Sequence, residues 1–524
     1  MRRPQKAMLL AAGLGTRMRP LTNDIPKAML PLWGRPIVEH VIELVRSWGV
    51  REILVNVHHC PDALVRHLRT RQRNGVIINM SFEPGLLGTG GALKRAAWFP
   101  GDEPFWIVNT DIAIDVSPLP FLADFRRNSP LAALWLDPRT GPRTVEMRRH
   151  EIVGFRSSRC GCIGTYTFCG LQLVSPNLLR YFPNGRAFSL VDIYENAMAA
   201  GETIRGVVVP RSYWSDLGTP RRYREAHGDV LRRRRKGLPG GRLMSSSELT
   251  KMRSLQSHGV SVGGFASVGS NVVLGRGVHI HESVILDDAT IKPNSHLDNA
   301  IVAERTVVRG RIEGVATACG DKTWQTEPVV RLLSTLGWQA GRVTIISLDA
   351  RGSDRSFVRL QSGNEDVIVV RYGIARPENA RYASNAHFLR SEGVPTPSVL
   401  LDIPSERTTV MEYLDGPSLE SLSKVLSPVA LERRYRLVLD NLLFLHRIPL
   451  RRIKTSQISL EPPFSPKTYS WERELLAKHF LRARLRLPER TIRAVMYDLA
   501  SVAANVALAP QVLVHRDLQS SNIL

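Results

Sequence analysis

Residues 10 to 31 read LAAGLGTRMRPLTNDIPKAMLP. They overlap a run, AMLLAA from Ala7 to Ala12, that is short, uncharged and closed at once by glycine, which reads as a strand. Gly13 and Gly15 remove the Cβ atoms that would hold backbone N–H groups away from a polyphosphate. Arg17 and Lys27 bring two cations to the same end of that strand. Apolar strand, glycines and cations in that order belong to a sheet whose ligand lies beyond the carboxyl ends of its strands.

Working outward, the same alternation continues. Ile37, Val38, Val41, Ile42, Leu44 and Val45 stand at helical spacing; EILVNV (Glu52 to Val57) is a strand; PDALVRHLRT (Pro61 to Thr70) is a helix. VIINMSF (Val76 to Phe82), GALKRAAWF (Gly91 to Phe99) and PFWIVN (Pro104 to Asn109) repeat the pattern. Strands alternating with helices imply an α/β, Rossmann-like domain with a mainly parallel sheet covered on both faces. The loops to inspect are those after Ala12 and after Asn109.

The bulk numbers bound the rest. A chain of 524 residues exceeds one hydrophobic core, and 43% hydrophobic with 23% charged residues is ordinary globular composition. The arginines of MRRPQKAMLLAAGL resemble the start of a signal peptide, but the apolar run is cut by Thr16 and Arg17. No segment approaches the roughly 20 apolar residues a bilayer requires, so a soluble, cytoplasmic protein with no membrane partner is expected. Five cysteines in such a chain fit a reducing compartment, and Cys160, Cys162 and Cys169 lack the fourth ligand and paired spacing of a zinc site. A formal charge of +23 favours anionic partners. The run RRRRKG, Arg232 to Gly237, reads as a solvated helix end entering a linker, with nucleic-acid binding as the less favoured alternative.

GxGTRxRPLT followed by PKxxxP resembles the signature of sugar-phosphate nucleotidyltransferases. LLGTGGAL (Leu86 to Leu93) is similar to their base-holding loop, VNTDI to their metal-binding strand end, FCGLQLVSP to their sugar-side strand and YWSDLGTP (Tyr213 to Pro220) to their second metal motif. The resemblance implies that Ala12, Gly13, Gly15, Thr16, Gly88, Thr89 and Gly90 bind the nucleotide. It implies that Asp111 and Asp216 hold Mg²⁺ and that Arg17 and Lys27 act in catalysis. The implied reaction joins a sugar 1-phosphate to a nucleoside triphosphate, UTP or GTP, releasing pyrophosphate. Thr110 stands where the family commonly has a smaller residue, and the Glu-Lys-Pro string many members carry beside the sugar is absent after IVGF (Ile152 to Phe155), which leaves the sugar unassigned.

Between His258 and Ile312 the texture changes. Val262, Val268, Leu274, Ile280 and Leu286 stand six apart, and Ile291 and Leu297 resume that spacing after a slip of one. Period six suits a left-handed parallel β-helix of about three coils with one inward aliphatic per face. His279 and His281 flank the inward Ile280 and so face out. Such coils resemble those that nucleotidyltransferases use for assembly, which implies packing and homo-oligomer formation.

The final region reads strand, strand, helix, strand and then mostly helix. HRDLQSSNIL (His515 to Leu524), with RGSDRSF (Arg351 to Phe357), MEYLDGPSL (Met411 to Leu419) and LLFLHRIP (Leu442 to Pro449), resembles aminoglycoside phosphotransferase-like kinases. By that resemblance Arg371, Asp517 and Asn522 mark a vestigial kinase site. Arg371 replaces the usual ATP-binding lysine, Asn385 lies near the place of its glutamate partner, and no second metal aspartate follows Asn522. The expectation is an incomplete protein-kinase-like α+β domain, truncated at its C-terminus, with little or no kinase activity. An intact pair of domains would resemble the salvage of N-acetylmuramic acid to its UDP derivative. The boundaries expected are 1–238 for the nucleotidyltransferase domain, 239–257 for a linker, 258–320 for the β-helix and 321–524 for the kinase-like domain. The alternatives are a guanylyltransferase for mannose or heptose 1-phosphate, and a regulatory protein that binds nucleotide sugars without turnover.

Overall fold

In the computed structural model the chain runs β1 (Lys6–Leu10), α1 (Ile37–Ser47), β2 (Glu52–Val57), α2 (Pro61–Arg69), β3 (Ile77–Phe82), α3 (Gly88–Arg95) and β4 (Phe105–Asn109). The structure describes residues 3–69, 75–157, 160–257, 259–317, 326–339, 343–348, 355–374, 376–423, 425–456, 458–482, 484–485, 487–515 and 523. The chain divides into two compact units, 1–349 with 358–365, and 350–357 with 366–524.

In the first unit β1 is apolar from Ala7 to Leu10 because both its faces are covered, with Ala7, Met8 and Leu9 fully buried. It lies parallel to β2 on one side and to β4 on the other. The chain continues through β5 (Ile112–Asp115), α4 (Leu119–Asn128), β6 (Ala132–Asp137), β7 (Val145–Arg148), β8 (Glu151–Gly154), β9 (Thr165–Val174), α5 (Leu190–Ala199), β10 (Ile204–Val207), β11 (Tyr213–Asp216) and α6 (Pro220–Arg235). Nine of these strands form one sheet in the order β3-β2-β1-β4-β9-β6-β10-β8-β7. Helices α1, α2 and α4 bury Val41, Leu64 and Phe121 on one face, and α3 and α5 bury Leu93 and Tyr194 on the other.

The sheet is less parallel than the alternation implies. Pairs from β3 to β4 are parallel, but β9 runs antiparallel to both β4 and β6. The reason is local: the short connection from β7 to β8 makes a hairpin that reverses the chain, and β9, which follows without a crossover helix, also pairs antiparallel with β7. β5 leaves this sheet and forms a separate two-stranded ladder with β11.

The arginine run is the last turn of α6. Arg233 stands 4.6 Å over the Tyr213 ring and donates to the Pro239 carbonyl, while Arg234 donates to Ser246 Oγ. Much of the stretch after it is helical, α7 (Ser246–Ser257).

Beyond α7 the chain winds alternately through two parallel ladders. One stacks β12 (Ser261–Val268), β14 (His279–Ile285), β16 (His296–Val302) and β18 (Arg311–Thr317); the other stacks β13 (Val273–Leu274), β15 (Thr290–Ile291) and β17 (Val307–Val308). Val262, Ile280, Leu297 and Ile312 form one column, and Leu274, Ile291 and Val308 another. The slip occurs earlier than the spacing of apolar residues indicates. Val268 pairs with Ile285 rather than Leu286, because the register shifts at the corner between Gly263 and Ala266. Leu286 consequently joins Phe265, Val284, Ile301 and Val315 on the outside of the coils, packed against Tyr223, Ala226 and Val230 of α6. His279 and His281 face out, and the rings of His279 and His296 stack 4.5 Å apart.

In the second unit Thr408–Glu412 pairs antiparallel with both Val367–Arg371 and Val399–Ile403. Phe388, Leu445, Ile448 and Ile453 form a small core. The helix Pro428–His446 buries only Leu445 among its residues. No helix among the described residues is long and apolar enough to cross a membrane.

Candidate active site

The carboxyl ends of β1, β2, β3 and β4 open on a cleft of about 400 Å³. Its walls include Ala12, Gly13, Gly15, Thr16, Arg17 and Lys27 from the segment after β1, Gly88 and Thr89 at the start of α3, and Asp111 after β4. Asn56, Glu83, Asn109 and Thr110 also line it.

Each glycine has its own local reason. Gly15 has φ +61° and an added Cβ would sit 3.1 Å from the Thr22 side chain, whose hydroxyl donates to the Gly15 carbonyl at 2.8 Å. The loop thus closes on itself, which a residue with a side chain would resist. At Gly13 an added Cβ meets nothing within 4 Å. Gly90 does not line the cleft; its N–H donates to the Phe188 carbonyl and an added Cβ would lie 2.5 Å from the Ser189 carbonyl oxygen. Its task is to let α3 dock on that segment.

Lys27 is nearly buried and its Nζ lies 3.0 Å from Asp111 Oδ2. The two aspartates are brought together by the β5–β11 ladder. Asp216 stands in register with Ile112, and the Leu217 N–H donates to the Asp111 carbonyl at 3.0 Å. Arg17 reaches the same corner: a Cβ on Gly218 would lie 2.8 Å from both Arg17 Nη2 and Asp216 Oδ1. Gly218, which lines the cleft, donates its N–H to Asp216 Oδ1, and Arg222 pairs with Asp216 Oδ2 at 2.8 Å. Arg17, Lys27 and Asp111 thus line the cleft, and Asp216, which is not among its lining residues, adjoins the same corner through Leu217 and Gly218. Thr110 donates its hydroxyl to the Leu10 carbonyl, tying β4 to β1 just before Asp111.

Asn56 and Glu83 escaped the motif reading. Asn56 Oδ1 accepts from the Ala11 N–H at 2.6 Å, its Nδ2 donates to Glu83 Oε1 at 2.7 Å, and Glu83 Oε2 accepts from the Leu87 N–H at 3.3 Å. Both side chains are buried, so these bonds form away from water. The available signal was a lone polar residue within the apolar strand EILVNV, which on its own does not reveal its partners.

The donor set fits Mg²⁺. Two carboxylates supply hard oxygen ligands, and this ion keeps much of its shell for water and substrate phosphates. Among the described residues no group of three or more His, Cys, Asp and Glu side chains gathers to form a closed cage. Cys169 is buried in the core, and burial pushes its thiol up, out of the range where a thiolate forms.

In the second unit Arg371 stands opposite Thr408, one residue before the end of its strand, and Asn385 lies on the helix Tyr382–Ser391 with no hydrogen-bond partner among the described residues for its buried Oδ1. Asp517 and Asn522 lie outside the described residues.

A glycine loop, two cations and a carboxylate at the carboxyl edge of an α/β sheet form an arrangement suited to phosphate groups. Residues 6–141 match the Nucleotidyl transferase family and residues 345–524 the Phosphotransferase enzyme family, and the chain joins a domain of each. It belongs to the nucleotidyl transferase family, being 30% identical over 234 residues to N-acetylmuramate alpha-1-phosphate uridylyltransferase of Caulobacter vibrioides, across 41% of this chain and 93% of that protein. It is 26% identical to mannose-1-phosphate guanylyltransferase of Mycobacterium tuberculosis, across 57% of this chain and 83% of the other. Among solved structures, UDP-glucose pyrophosphorylase from Acinetobacter baumanii aligns at 17% identity over 44% of this chain and 94% of that one, with a TM-score of 0.38.

Proposed function

We propose that the first unit transfers a nucleotidyl group from a nucleoside triphosphate to a sugar 1-phosphate, releasing pyrophosphate. The observation that carries this reading is the meeting of Lys27, Asp111 and Arg17 in one cleft, with Asp216 joined to it through Leu217 and Gly218. The attacking phosphate oxygen is already anionic at neutral pH, so no general base is required. What the site must supply is alignment of two mutually repelling anions and compensation of charge as the transition state forms. The glycine loop takes the triphosphate on its backbone N–H groups, while Arg17 and Lys27 hold phosphate oxygens against the attacking group. Asp111 and Asp216 would hold Mg²⁺, which when bound neutralises phosphate charge. Gly88, Thr89 and the α3 start take the base.

Uridylyl transfer to an amino sugar 1-phosphate is favoured by the Caulobacter vibrioides relative; the Mycobacterium tuberculosis relative supports guanylyl transfer as the second reading. The stacked coils are read as a short left-handed β-helix that packs on α6 and serves assembly. The deciding experiment is a pyrophosphate-release screen of the nucleoside triphosphates against a panel of sugar 1-phosphates with Mg²⁺. Release with UTP and an amino sugar 1-phosphate supports the first reading, release with GTP and mannose or heptose 1-phosphate the second. Nucleotide-sugar binding without release from any pair would leave a regulatory protein.

A further inference from the structure

The phosphate loop follows β1 and the base loop follows β3, and in the sheet β2 lies between them. The segment that leaves β2 is therefore flanked by both nucleotide loops. That segment is Asn56-Val57-His58-His59-Cys60, and its polar groups reach in both directions. On one side His58 Nδ1 lies 2.8 Å from the Glu83 carbonyl. On the other His59 Nε2 lies 2.7 Å from the Thr22 carbonyl, and Cys60 Sγ contacts the Asn23 carbonyl at 3.5 Å. Carbonyl oxygens only accept, so His58 donates from Nδ1 and His59 from Nε2; the neighbouring rings carry protons on opposite nitrogens. Asn56 adds the buried link from Ala11 to Glu83.

These contacts make two continuous chains. One runs His59–Thr22–Gly15, since Thr22 donates in turn to the Gly15 carbonyl. The other runs Ala11–Asn56–Glu83–Leu87. Both end on loop backbone that lines or adjoins the cleft, Gly15 itself belonging to the glycine loop, while His58 and His59 are not among the residues that line it. We propose that His58 and His59 are positioning residues that clamp the phosphate loop and the base loop at a fixed separation, presetting the cleft to the length of a nucleoside triphosphate. This rests on the nucleotidyl-transfer reading. Preorganisation of this kind favours the nucleotide and leaves the sugar phosphate untouched, because it removes the ordering cost of the two loops alone.

The test uses the full chain. His59→Leu removes the donor, His59→Gln retains an N–H at similar reach, His58→Leu cuts the other side, and Thr22→Val breaks the same chain nearer to the loop. For each, KM for the nucleoside triphosphate, KM for the sugar 1-phosphate, the melting temperature and calorimetric binding of Mg·UTP and Mg·GTP are measured. His59→Leu, His58→Leu and Thr22→Val are expected to raise the nucleotide KM or dissociation constant about tenfold, the upper scale of one lost, partly buried hydrogen bond, with the sugar phosphate KM changed less than about twofold and His59→Gln restoring most of the loss. Equal shifts of both KM values, a glutamine variant no better than leucine, or unchanged nucleotide binding in the variants overturns the clamp. If the leucine variants do not fold, the comparison of His59→Gln with Thr22→Val against the original chain decides by the same readouts. A chain that binds neither nucleotide and releases no pyrophosphate overturns the nucleotidyl-transfer reading itself, and the clamp with it.

Discussion

The Lys27 ammonium lies 3.0 Å from Asp111 Oδ2, with the lysine side chain only 10% exposed and the aspartate 41% exposed. Sheltered cation and open carboxylate are placed so that one oxygen of Asp111 is held while the group still faces the cleft. Lys27→Met should lower pyrophosphate release by about 10²–10³-fold, the usual effect of removing a preorganised charge from a transition state. Asp111→Asn and Asp216→Asn should each abolish release, with circular dichroism unchanged. Near-normal turnover in either asparagine variant would remove that residue from the site.

Two glycines separate binding from folding. Gly13→Ala adds a methyl with no protein atom within 4 Å, so the melting temperature should stay put while nucleotide affinity falls, as the methyl meets the ligand. Gly90→Ala places a methyl 2.5 Å from the Ser189 carbonyl oxygen and 2.6 Å from Phe188 Cδ2, and should destabilise by about 1–3 kcal/mol. Thermal melts beside nucleotide titrations check both, and a stable Gly90→Ala variant would show that α3 can shift away from its neighbour.

Two buried histidines make the first unit acid-sensitive. Burial pushes His40 down to about 4, and burial likewise pushes His227 down to about 4. Both pKa values are depressed below the ordinary 6.5, so the folded state keeps the rings neutral and the unfolded chain takes up the protons. The stability is whole above pH 6.5 and is lost as pH falls from there towards 4, at most on the order of 3 kcal/mol for each ring. Glu248 and Glu304, raised by burial, act in the opposite sense, so the comparison is made with His227→Gln, whose melting temperature should fall less between pH 7 and 4.5. Parallel pH profiles for the two proteins would count against this account.

The arginine run divides in the same way. Arg233 sits over Tyr213 and donates to Pro239, whereas Arg235 is exposed. Arg233→Ala should cost about 1 kcal/mol and Arg235→Ala less than about 0.5 kcal/mol by denaturant unfolding. Equal effects would mean that the stacked geometry contributes no stability.

What could be read directly was contiguous. The strand, glycines and cations of residues 10 to 31 describe a phosphate loop because backbone freedom and charge act over a few residues, and α1 is legible because its apolar stripe repeats within one element. Asp111 and Asp216 were found through the two stretches that resemble a family, not through any local necessity. Beyond β4 the alternation of strands and helices does not reveal the antiparallel β9, and the apolar spacing points to a slip after Leu286 although a corner at Gly263 to Ala266 absorbs it.

Tertiary structure alone decided how the pieces meet. The register of β5 on β11 seats one aspartate beside the other, and the position of β2 between β1 and β3 puts Asn56, His58 and His59 within reach of two loops at once. Those outcomes depend on pairings between residues far apart in the chain, whose free energy comes from ladders and burial that no short stretch contains. The amino-acid order determined which chemical groups were present; the sheet order determined which of them share a cleft.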